Sequence, residues 1–368
     1  MNKCTLIVDG NWLLMSRFSV ITNKFNKDLP DRAKEVAREE LQEQMARSIN
    51  VILNRFKGAI DNVVIVADGG SWRKELIVPK VLGEIKYKGN RSKTDDLDWS
   101  YIYKALTSLL ERAQEAGITV SQAPKVEGDD WIWYWSRYLN ENGCNALIWS
   151  VDKDLQQLVQ VVDKDGNRNW TGWYNDKSGL ILHEDMQSPQ DSIDFFMAPT
   201  IISGSLEVIK ENLNADPTYI DPSSIVLEKI GLGDNSDNIK AITSYSKGGR
   251  TYKLTKKIWE VSLNKFNIRS ANDIIPCIED LADEIYKYPK FEYNTTQIRN
   301  MILYNLQLVW LNESVIPESV IHSMVSSEYK QVDMNYILQN YKLLIDRENT
   351  IEELFDSQAD IDSADAPF

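Results

Sequence analysis

Seven acidic residues follow short apolar stretches at four widely separated places in this sequence. They are Asp9, Asp68, Glu127, Asp129, Asp130, Asp152 and Asp154. Carboxylate oxygens are preferred protein ligands of Mg²⁺ and Mn²⁺, and several carboxylates held together repel one another unless cations compensate their charge. If these residues meet in space, they predict a site for two Mg²⁺ ions, which Mn²⁺ could replace. Sites of that kind hydrolyse phosphodiester bonds.

The elements around these acids predict how they could meet. Apolar runs predict strands over residues 4–8, 62–67, 118–120 and 145–151, and helical periodicity predicts helices over residues 33–56, 97–116, 129–142 and from 154 onward. Alternating strands and helices predict an α/β fold with a mainly parallel sheet, whose strands share one carboxyl edge. A single aspartate after a strand is more often a helix N-cap, and Asp129 or Asp130 could cap the third helix. The metal-site prediction therefore depends on all four groups together.

Composition excludes several classes of protein. The 368 residues include 41 Lys plus Arg and 55 Asp plus Glu, which gives a net charge of −14, and 43% are hydrophobic, enough for a folded core. The three cysteines and two histidines are too scattered for a disulfide framework or a zinc site. The sequence shows no phosphate-binding glycine loop of the Walker or dinucleotide type. No apolar run is long enough for a membrane span, so we expect a cytoplasmic monomer without a membrane partner.

A basic and aromatic stretch follows Asp68 directly. Its candidate nucleic-acid-binding residues are Arg73, Lys74, Tyr87, Lys88, Arg91 and Lys93. Basic side chains neutralise backbone phosphates, and an aromatic ring can stack on a base. A solvated loop would have a similar composition, but the position after Asp68 favours a phosphate-guiding segment at the mouth of the metal site.

Residues 231–259 combine two further acids with a second basic stretch. The motif GLGDNSDNIKAI supplies Asp234 and Asp237. The basic stretch that follows supplies Lys247, Gly248, Gly249, Arg250, Lys256 and Lys257. A glycine loop that opens a helix presents N–H groups to a phosphate, although such glycine pairs also occur in ordinary turns. Together with the acidic cluster, these residues predict two more carboxylates for the site and a grip on a nucleic-acid backbone.

Composition also divides the chain. Residues 1–187 contain the alternating strands and helices and predict a catalytic domain, with hairpins over 164–183 in which Trp170 and Trp173 serve packing. Residues 188–348 are predicted to be largely helical. Residues 349–368 contain six acids and no basic residue, which predicts a disordered tail.

The ordered motifs IVDGN, VADGGSWRKE, YKGNR, VEGDD, SVDKDLQQL and GDNSDNI resemble the flap endonuclease and 5′-3′ exonuclease superfamily. They are most similar to its phage branch, the ribonuclease H-type 5′-nucleases of T-even bacteriophages. The resemblance implies a PIN-like, mainly parallel sheet flanked by helices, and a helical arch built from residues around 88–116. It also implies that residues 188–348 bind DNA through a helix–three-turn–helix element at about 223–262.

The resemblance further implies roles for individual residues. The catalytic set would be Asp9, Asp68, Lys88, Arg91, Glu127, Asp129, Asp152, Asp154 and Asp237, with Asp130 and Asp234 as additional metal-site acids. Lys88 and Arg91 would lie beside the scissile phosphate, and Tyr87 would stack on a terminal base. Gly248, Gly249 and the neighbouring basic residues would hold DNA. The stretch SKGGRTYKLTKK departs from the GIGxKTA-like turn of many members, and residues around 185–222 resemble an insertion without an assigned role.

The function expected from this resemblance is a magnesium-dependent 5′-3′ exonuclease and flap endonuclease. It would act on DNA and RNA–DNA hybrids with a free 5′ end or flap and remove RNA primers during phage replication in the host cytoplasm. A single-strand-binding protein and a sliding clamp are candidate partners. Two alternatives stay open: a PIN-type RNA endonuclease, which does not need the basic stretch at 246–259, and a non-catalytic, structure-specific DNA-binding protein.

Overall fold

The computed structural model describes residues 4–90, 94–164, 167–187, 204–243, 245–247, 250–288 and 293–345. Within these ranges, one large sheet organises the first half of the chain, and helices make up most of the second half. We refer to the parts around the sheet and around the later helices as the sheet domain and the helical domain.

Eight strands of the described ranges form the sheet. They are β1 (Cys4–Asp9), β2 (Asn62–Val66), β3 (Thr119–Ser121), β4 (Asn145–Trp149), β5 (Gln160–Lys164), β6 (Asn167–Asn175), β7 (Gly179–His183) and β8 (Thr218–Ile220). The order is β3–β2–β1–β4–β6–β7–β8, with β5 paired to β6. The β5–β6 and β6–β7 pairs are antiparallel, and the other pairs are parallel. The four predicted strands are therefore adjacent and share one carboxyl edge.

Helices cover both faces of this sheet. The helices of the described ranges are α1 (Gly10–Phe18), α2 (Asp31–Arg55), α3 (Trp99–Glu115), α4 (Gly128–Glu141), α5 (Gly204–Leu213), α6 (Pro222–Leu232), α7 (Lys256–Lys265), α8 (Ala271–Tyr286), α9 (Thr295–Val309), α10 (Glu318–Val325) and α11 (Met334–Gln339). Alternate residues of a strand face opposite sides. Accordingly, Leu6 and Val8 pack in one core with α1, α2 and α3, whereas Ile7 packs in another with α4. Burial on both faces explains why four of the six residues of β1 are apolar.

The stretch predicted to form a helical arch is in large part a core element. In α3, Ile102, Leu109 and Ala113 are fully buried, and the helix packs against α2. The prediction that residues around 88–116 build the arch is therefore wrong for residues 99–115. The physical reason is the apolar stripe at helical spacing along α3, which gains more from burial than from spanning a cleft.

The helix predicted from residue 154 onward is also replaced by other structure. A 3-10 helix covers Lys153–Leu158, and β5 follows it. Strand β5 forms an antiparallel ladder with β6, so tertiary pairing overrides the local preference. One of the hairpins predicted over residues 164–183 is observed, because β6 and β7 form an antiparallel pair and Gly179, at the start of β7, has a φ of 73°. Trp170 and Trp173 are buried, which confirms that they serve packing.

Helices α6 and α7 lie at the two ends of the predicted helix–three-turn–helix element. Between them, β9 (Tyr245–Lys247) and β10 (Arg250–Tyr252) form a short antiparallel ladder that flanks residues 248–249. The prediction that the glycine loop opens a helix is therefore wrong. Helix α7 begins at Lys256, after Thr255, whose hydroxyl accepts the Ile258 N–H at 3.4 Å.

The last described residues return to the sheet domain. The Tyr329 hydroxyl lies 2.8 Å from that of Thr5, and Asn62 donates to the Lys330 carbonyl at 2.9 Å. These contacts hold the amino-terminal edge of the sheet, opposite the acids.

Strand β8 and helix α5, within the predicted insertion 185–222, extend the same domain. The domain boundary near 187 and the tail at 349–368 fall at or within residues outside the description and stay predictions. No helix of the described ranges is long and apolar enough to span a membrane.

Candidate active site

The predicted acids meet at the carboxyl edge of the sheet. Asp9 ends β1, Asp68 lies two residues after β2, and Asp152 lies three residues after β4. Glu127 precedes α4, and Asp129 lies in its first turn. All five line one cavity of about 600 Å³. The structure therefore brings together carboxylates that are up to 143 positions apart, from Asp9 to Asp152.

Asp9 is held by hydrogen bonds from two directions. One carboxylate oxygen accepts the backbone N–H of Trp12 at 2.9 Å, and the other accepts the Ser150 hydroxyl at 2.8 Å. The first contact caps α1, so the helix-cap role and the site role coexist in one residue. The second contact ties the end of β1 to the end of β4. Sequence reasoning did not single out Ser150, although it precedes Asp152 by two residues.

Asp68 is held in the same way by its neighbours. It accepts the Gly128 N–H at 2.6 Å and the side-chain amide of Asn11 at 2.9 Å. The loop around it approaches residues 123–126 so closely that a Cβ at Gly69 would lie 1.8 Å from the Ala123 carbonyl oxygen. Glycine at position 69 is therefore required for Asp68 and Glu127 to come together.

Burial and mutual repulsion make these carboxylates reluctant to ionise. Burial raises the pKa of Asp9 to about 6, and the nearby carboxylates of Asp68 and Asp152 add to the increase. Burial also raises the pKa of Asp68 and, strongly, that of Asp129, where Asp152 and Glu127 contribute repulsion. A cluster of this kind favours any cation that can approach it.

Arg73 supplies part of the compensating charge from beneath the cluster. Its guanidinium contacts Glu127 at 2.6 Å and Asp130 at 2.8 Å, and only 2% of its side chain is exposed. Asp130 also accepts the Trp72 indole N–H at 3.0 Å and the Glu127 N–H at 3.2 Å. Arg73 is therefore an internal ion-pair partner in this structure, and its predicted contact with DNA stays a prediction. The cap of α4 is Glu127 rather than Asp129 or Asp130.

Lys88 enters the cluster from the basic stretch. Its ammonium lies 2.8 Å from Glu127 and its backbone N–H donates to the Asp237 carbonyl at 2.9 Å. Burial opposes ionisation of Glu127, but Arg73 and Lys88 hold its pKa below the usual range. Lys88 has a φ of 52°, a strained value for a residue with a Cβ.

Tyr87 does not present a free ring to a base. Only 7% of it is exposed, it packs in the core of the helical domain, and the Lys88 ammonium lies 4.9 Å from its ring centroid. Its hydroxyl lies 3.5 Å from the Asp237 carboxylate. In this structure the aromatic ring is stabilised by burial in the core, and the predicted stacking of Tyr87 on a terminal base stays a prediction.

Asp154 and Asp234 form a second half of the site, joined by a residue that sequence reasoning missed. The Lys229 ammonium contacts Asp154 and lies 2.5 Å from Asp234. Burial and the nearby carboxylate of Asp152 raise the pKa of Asp154. Burial also opposes the ionisation of Asp234, but its contacts with Lys229 and Ser236 hold the pKa of Asp234 below its usual range. Lys229 and Asp154 are 75 positions apart, and no residue pattern links them.

The protein's own cations occupy much of this acidic edge. Arg73, Lys88 and Lys229 contact Glu127, Asp130, Asp154 and Asp234. Within the described ranges, no three carboxylates converge closely enough to coordinate one ion in this conformation. The donor set consists of oxygens, which still fits a hard divalent cation. Metal binding would therefore require these internal cations to be rearranged.

The remaining predicted DNA-binding residues fall into three groups. Lys74 is exposed and lines the cavity, and Lys256 and Lys257 are exposed at the start of α7, where Lys256 pairs with Glu228 at 3.1 Å. The second group consists of Lys247, which lies in β9, and Arg250, which lies in β10; only their backbone is described. The third group lies outside the described residues and consists of Arg91, Lys93, Gly248 and Gly249.

This architecture can be compared with known proteins. Residues 4–177 match the family model described as the 5′-3′ exonuclease N-terminal, resolvase-like domain. Residues 4–177 therefore belong to the family of 5′-3′ exonuclease N-terminal domains. The resemblance derived from the motifs is thereby confirmed, and the family implies a hydrolytic nuclease.

Individual relatives agree with this assignment. A 5′-3′ exonuclease of Mycoplasmopsis pulmonis is 27% identical over 273 residues, which cover 72% of each chain. A 5′-3′ exonuclease of Buchnera aphidicola is 28% identical over 158 residues, covering 41% of this chain and 49% of that protein. The solved structure of the T5 D15 protein, co-crystallised with metal ions, covers 94% of this chain and 100% of its own, with a TM-score of 0.50 and 16% identity. That structure supports the fold.

Proposed function

We propose that this 5′-3′ exonuclease family member is a divalent-metal-dependent exonuclease and flap endonuclease that acts on DNA and RNA–DNA hybrids. The observation that carries the proposal is the convergence of carboxylates from four strand ends on one cavity, with Lys88 folded in among them. We further propose that it removes RNA primers during phage DNA replication, alongside a single-strand-binding protein and a sliding clamp.

The residues that would hold the metal ions are the acids of the two half-sites. They are Asp9, Asp68, Glu127, Asp129, Asp152, Asp154, Asp234 and Asp237, with Asp130 behind them. Bound Mg²⁺ or Mn²⁺ would supply an activated water and Lewis-acid stabilisation of the scissile phosphate. The related T5 D15 protein was co-crystallised with metal ions, which is consistent with this proposal.

Lys88 would act directly on the substrate. Its ammonium lines the cavity and is 17% exposed, so it can turn from Glu127 to a phosphate oxygen that enters. A cation held there would stabilise the negative charge that develops in the transition state. The strained backbone at Lys88 and its bond to the Asp237 carbonyl keep the residue at this position.

Aromatic side chains in the cavity wall would replace Tyr87 in contacting bases. Trp12, Trp99 and Tyr103 line the same cavity as the acids. Base stacking on such rings tolerates any sequence, as a structure-specific nuclease requires. The exposed Lys74 beside them would neutralise backbone phosphates.

The proposal is tested with a labelled 5′-flap DNA and an RNA-primed duplex, each incubated with Mg²⁺ or with EDTA. Both substrates are repeated with the 5′ end blocked. We expect short 5′ products that require Mg²⁺ and a free 5′ end. Cleavage of single-stranded RNA regardless of its ends would instead establish the PIN-type RNA endonuclease. Tight flap binding without any cleavage would establish the non-catalytic binding protein.

A further inference from the structure

One lysine joins the sheet domain to the helical domain at the acidic edge. Lys229 lies in the last turn of α6, and its ammonium contacts both Asp154 and Asp234. Asp154 belongs to the 3-10 helix after β4, whereas Asp234 follows α6. Only 21% of the Lys229 side chain is exposed, so this is a partly buried triad rather than a surface ion pair.

The triad holds two acids that would otherwise repel each other. The Asp234 side chain is 12% exposed and that of Asp154 is 31% exposed. Two partly desolvated carboxylates can both stay ionised side by side when a cation between them compensates their charge. In the present conformation that cation is the ammonium of Lys229.

The same oxygens are among those proposed to bind a divalent ion. An ammonium and a metal ion cannot both occupy the space between the two carboxylates. We propose that Lys229 is a positioning residue. Its ammonium is an internal cation that holds Asp154 and Asp234 together before a divalent ion binds, and the divalent ion then displaces this ammonium. This inference rests on the proposed metal-dependent function, and it adds a residue and an order of events to it.

The displacement has a measurable consequence. Because the ion must break the Lys229 contacts, its apparent affinity is lower than the carboxylates alone would give. Replacing Lys229 removes this competition but leaves the acids uncompensated when no metal is present. A residue that merely supported α6 would weaken the fold without strengthening metal binding.

The test uses Ca²⁺ as the probe, measured by isothermal titration calorimetry without nucleic acid. The variants are Lys229→Met and a matched control, Lys210→Met, whose side chain is 26% exposed and pairs with Glu207 at 3.4 Å away from the site. We expect Lys229→Met to bind Ca²⁺ roughly five- to tenfold more tightly than the unmodified protein. Thermal unfolding in EDTA should occur at a lower temperature for Lys229→Met, and added Ca²⁺ should remove most of that difference. The control should bind Ca²⁺ like the unmodified protein.

Equal or weaker Ca²⁺ binding by Lys229→Met would overturn the inference. If Lys229→Met does not fold in EDTA, recovery of its fold by Ca²⁺ supports the inference, and failure to recover overturns it. Failure of this inference can be distinguished from failure of the proposed nuclease function. A protein that binds Ca²⁺ but cleaves no flap in Mg²⁺ refutes the nuclease proposal alone, whereas one that binds no divalent ion refutes both.

Discussion

Replacing Asp9 by asparagine should stabilise the metal-free protein at neutral pH while abolishing its activity. Asp9 is 8% exposed and lies near other carboxylates, so its negative charge is unfavourable in the folded state. Asparagine has nearly the same shape. Its oxygen can accept the Trp12 N–H, and its amide group can donate to the hydroxyl oxygen of Ser150.

The size of the expected gain in stability follows from the raised pKa of Asp9. Burial raises the pKa of Asp9 from 3.8 to about 6. One pKa unit corresponds to about 1.4 kcal/mol, so ionised Asp9 costs at most about 3 kcal/mol of folding free energy. Rearranging the hydrogen bond with Ser150 reduces the gain, so we expect Asp9→Asn to add about 1–2 kcal/mol at pH 8.

The pH dependence distinguishes this effect from a general change in packing. Because the folded-state pKa lies above the unfolded-state value, the contribution of Asp9 to stability is fully present below about pH 3.8. It is lost as the pH rises through about 6. Urea unfolding in EDTA should therefore show the advantage of Asp9→Asn shrinking from pH 8 to pH 5.

A matched control is Asp28→Asn, which changes an exposed aspartate outside the site and should not alter this pH dependence. Added Mg²⁺ should stabilise the unmodified protein more than Asp9→Asn, because it compensates the charge that the variant lacks. A variant that is less stable at pH 8, or whose advantage does not change with pH, would refute this electrostatic reasoning.

Three further substitutions test other parts of the site. Arg73→Met leaves Glu127 and Asp130 buried without their shared cation, so we expect a loss of about 3–5 kcal/mol in the free energy of unfolding, measured with urea. Lys88→Ala should lower the single-turnover cleavage rate roughly 10²- to 10³-fold while flap affinity changes far less; a loss confined to affinity would contradict its catalytic role. Asp152→Asn should abolish cleavage in Mg²⁺ yet keep flap binding within severalfold, and retained turnover would remove Asp152 from the catalytic set.

These substitutions have controls within the same chain. Lys74→Met changes the exposed neighbour of Arg73 and should leave the unfolding free energy within about 0.5 kcal/mol. If Arg73→Met were equally harmless, the ion pairs with Glu127 and Asp130 would not stabilise the fold. Lys104→Ala removes an exposed lysine that pairs with Glu35 at 3.2 Å, and it serves as the matched lysine control for cleavage.

The strands and the acids that follow them were predictable from local sequence. Apolar runs such as residues 62–67 can only be buried strands or short buried helix segments, and their position between helical patterns indicates a parallel sheet. Strand direction then requires Asp9, Asp68 and Asp152 to lie at one edge. The helix expected from residue 154 was wrong, and the arch expected around residues 88–116 was wrong for residues 99–115. Periodicity reports which face of an element is apolar, but not which partner buries it.

The partners of the charged residues could not be predicted in this way. The same basic stretch contains the exposed Lys74, the cavity-lining Lys88 and the fully enclosed Arg73, and nothing in their spacing separates them. Their difference arises because residues 72–75 form a 3-10 helix against the start of α4, which encloses Arg73 between Glu127 and Asp130.

The sequence by itself determined the kind of protein: an acidic sheet edge, two basic stretches and the ordered motifs of the 5′-3′ exonuclease superfamily. These features depend only on residue types and on their order along the chain. Apolar runs form the strands, and the common direction of the strands places the acids that follow them at one edge of the sheet. Only the tertiary structure decided which cation compensates each acid. Arg73 lies beneath the cluster, Lys88 within it, and Lys229 between Asp154 and Asp234. Such pairings join residues from different elements, and their geometry exists only when the sheet and helical domains pack together.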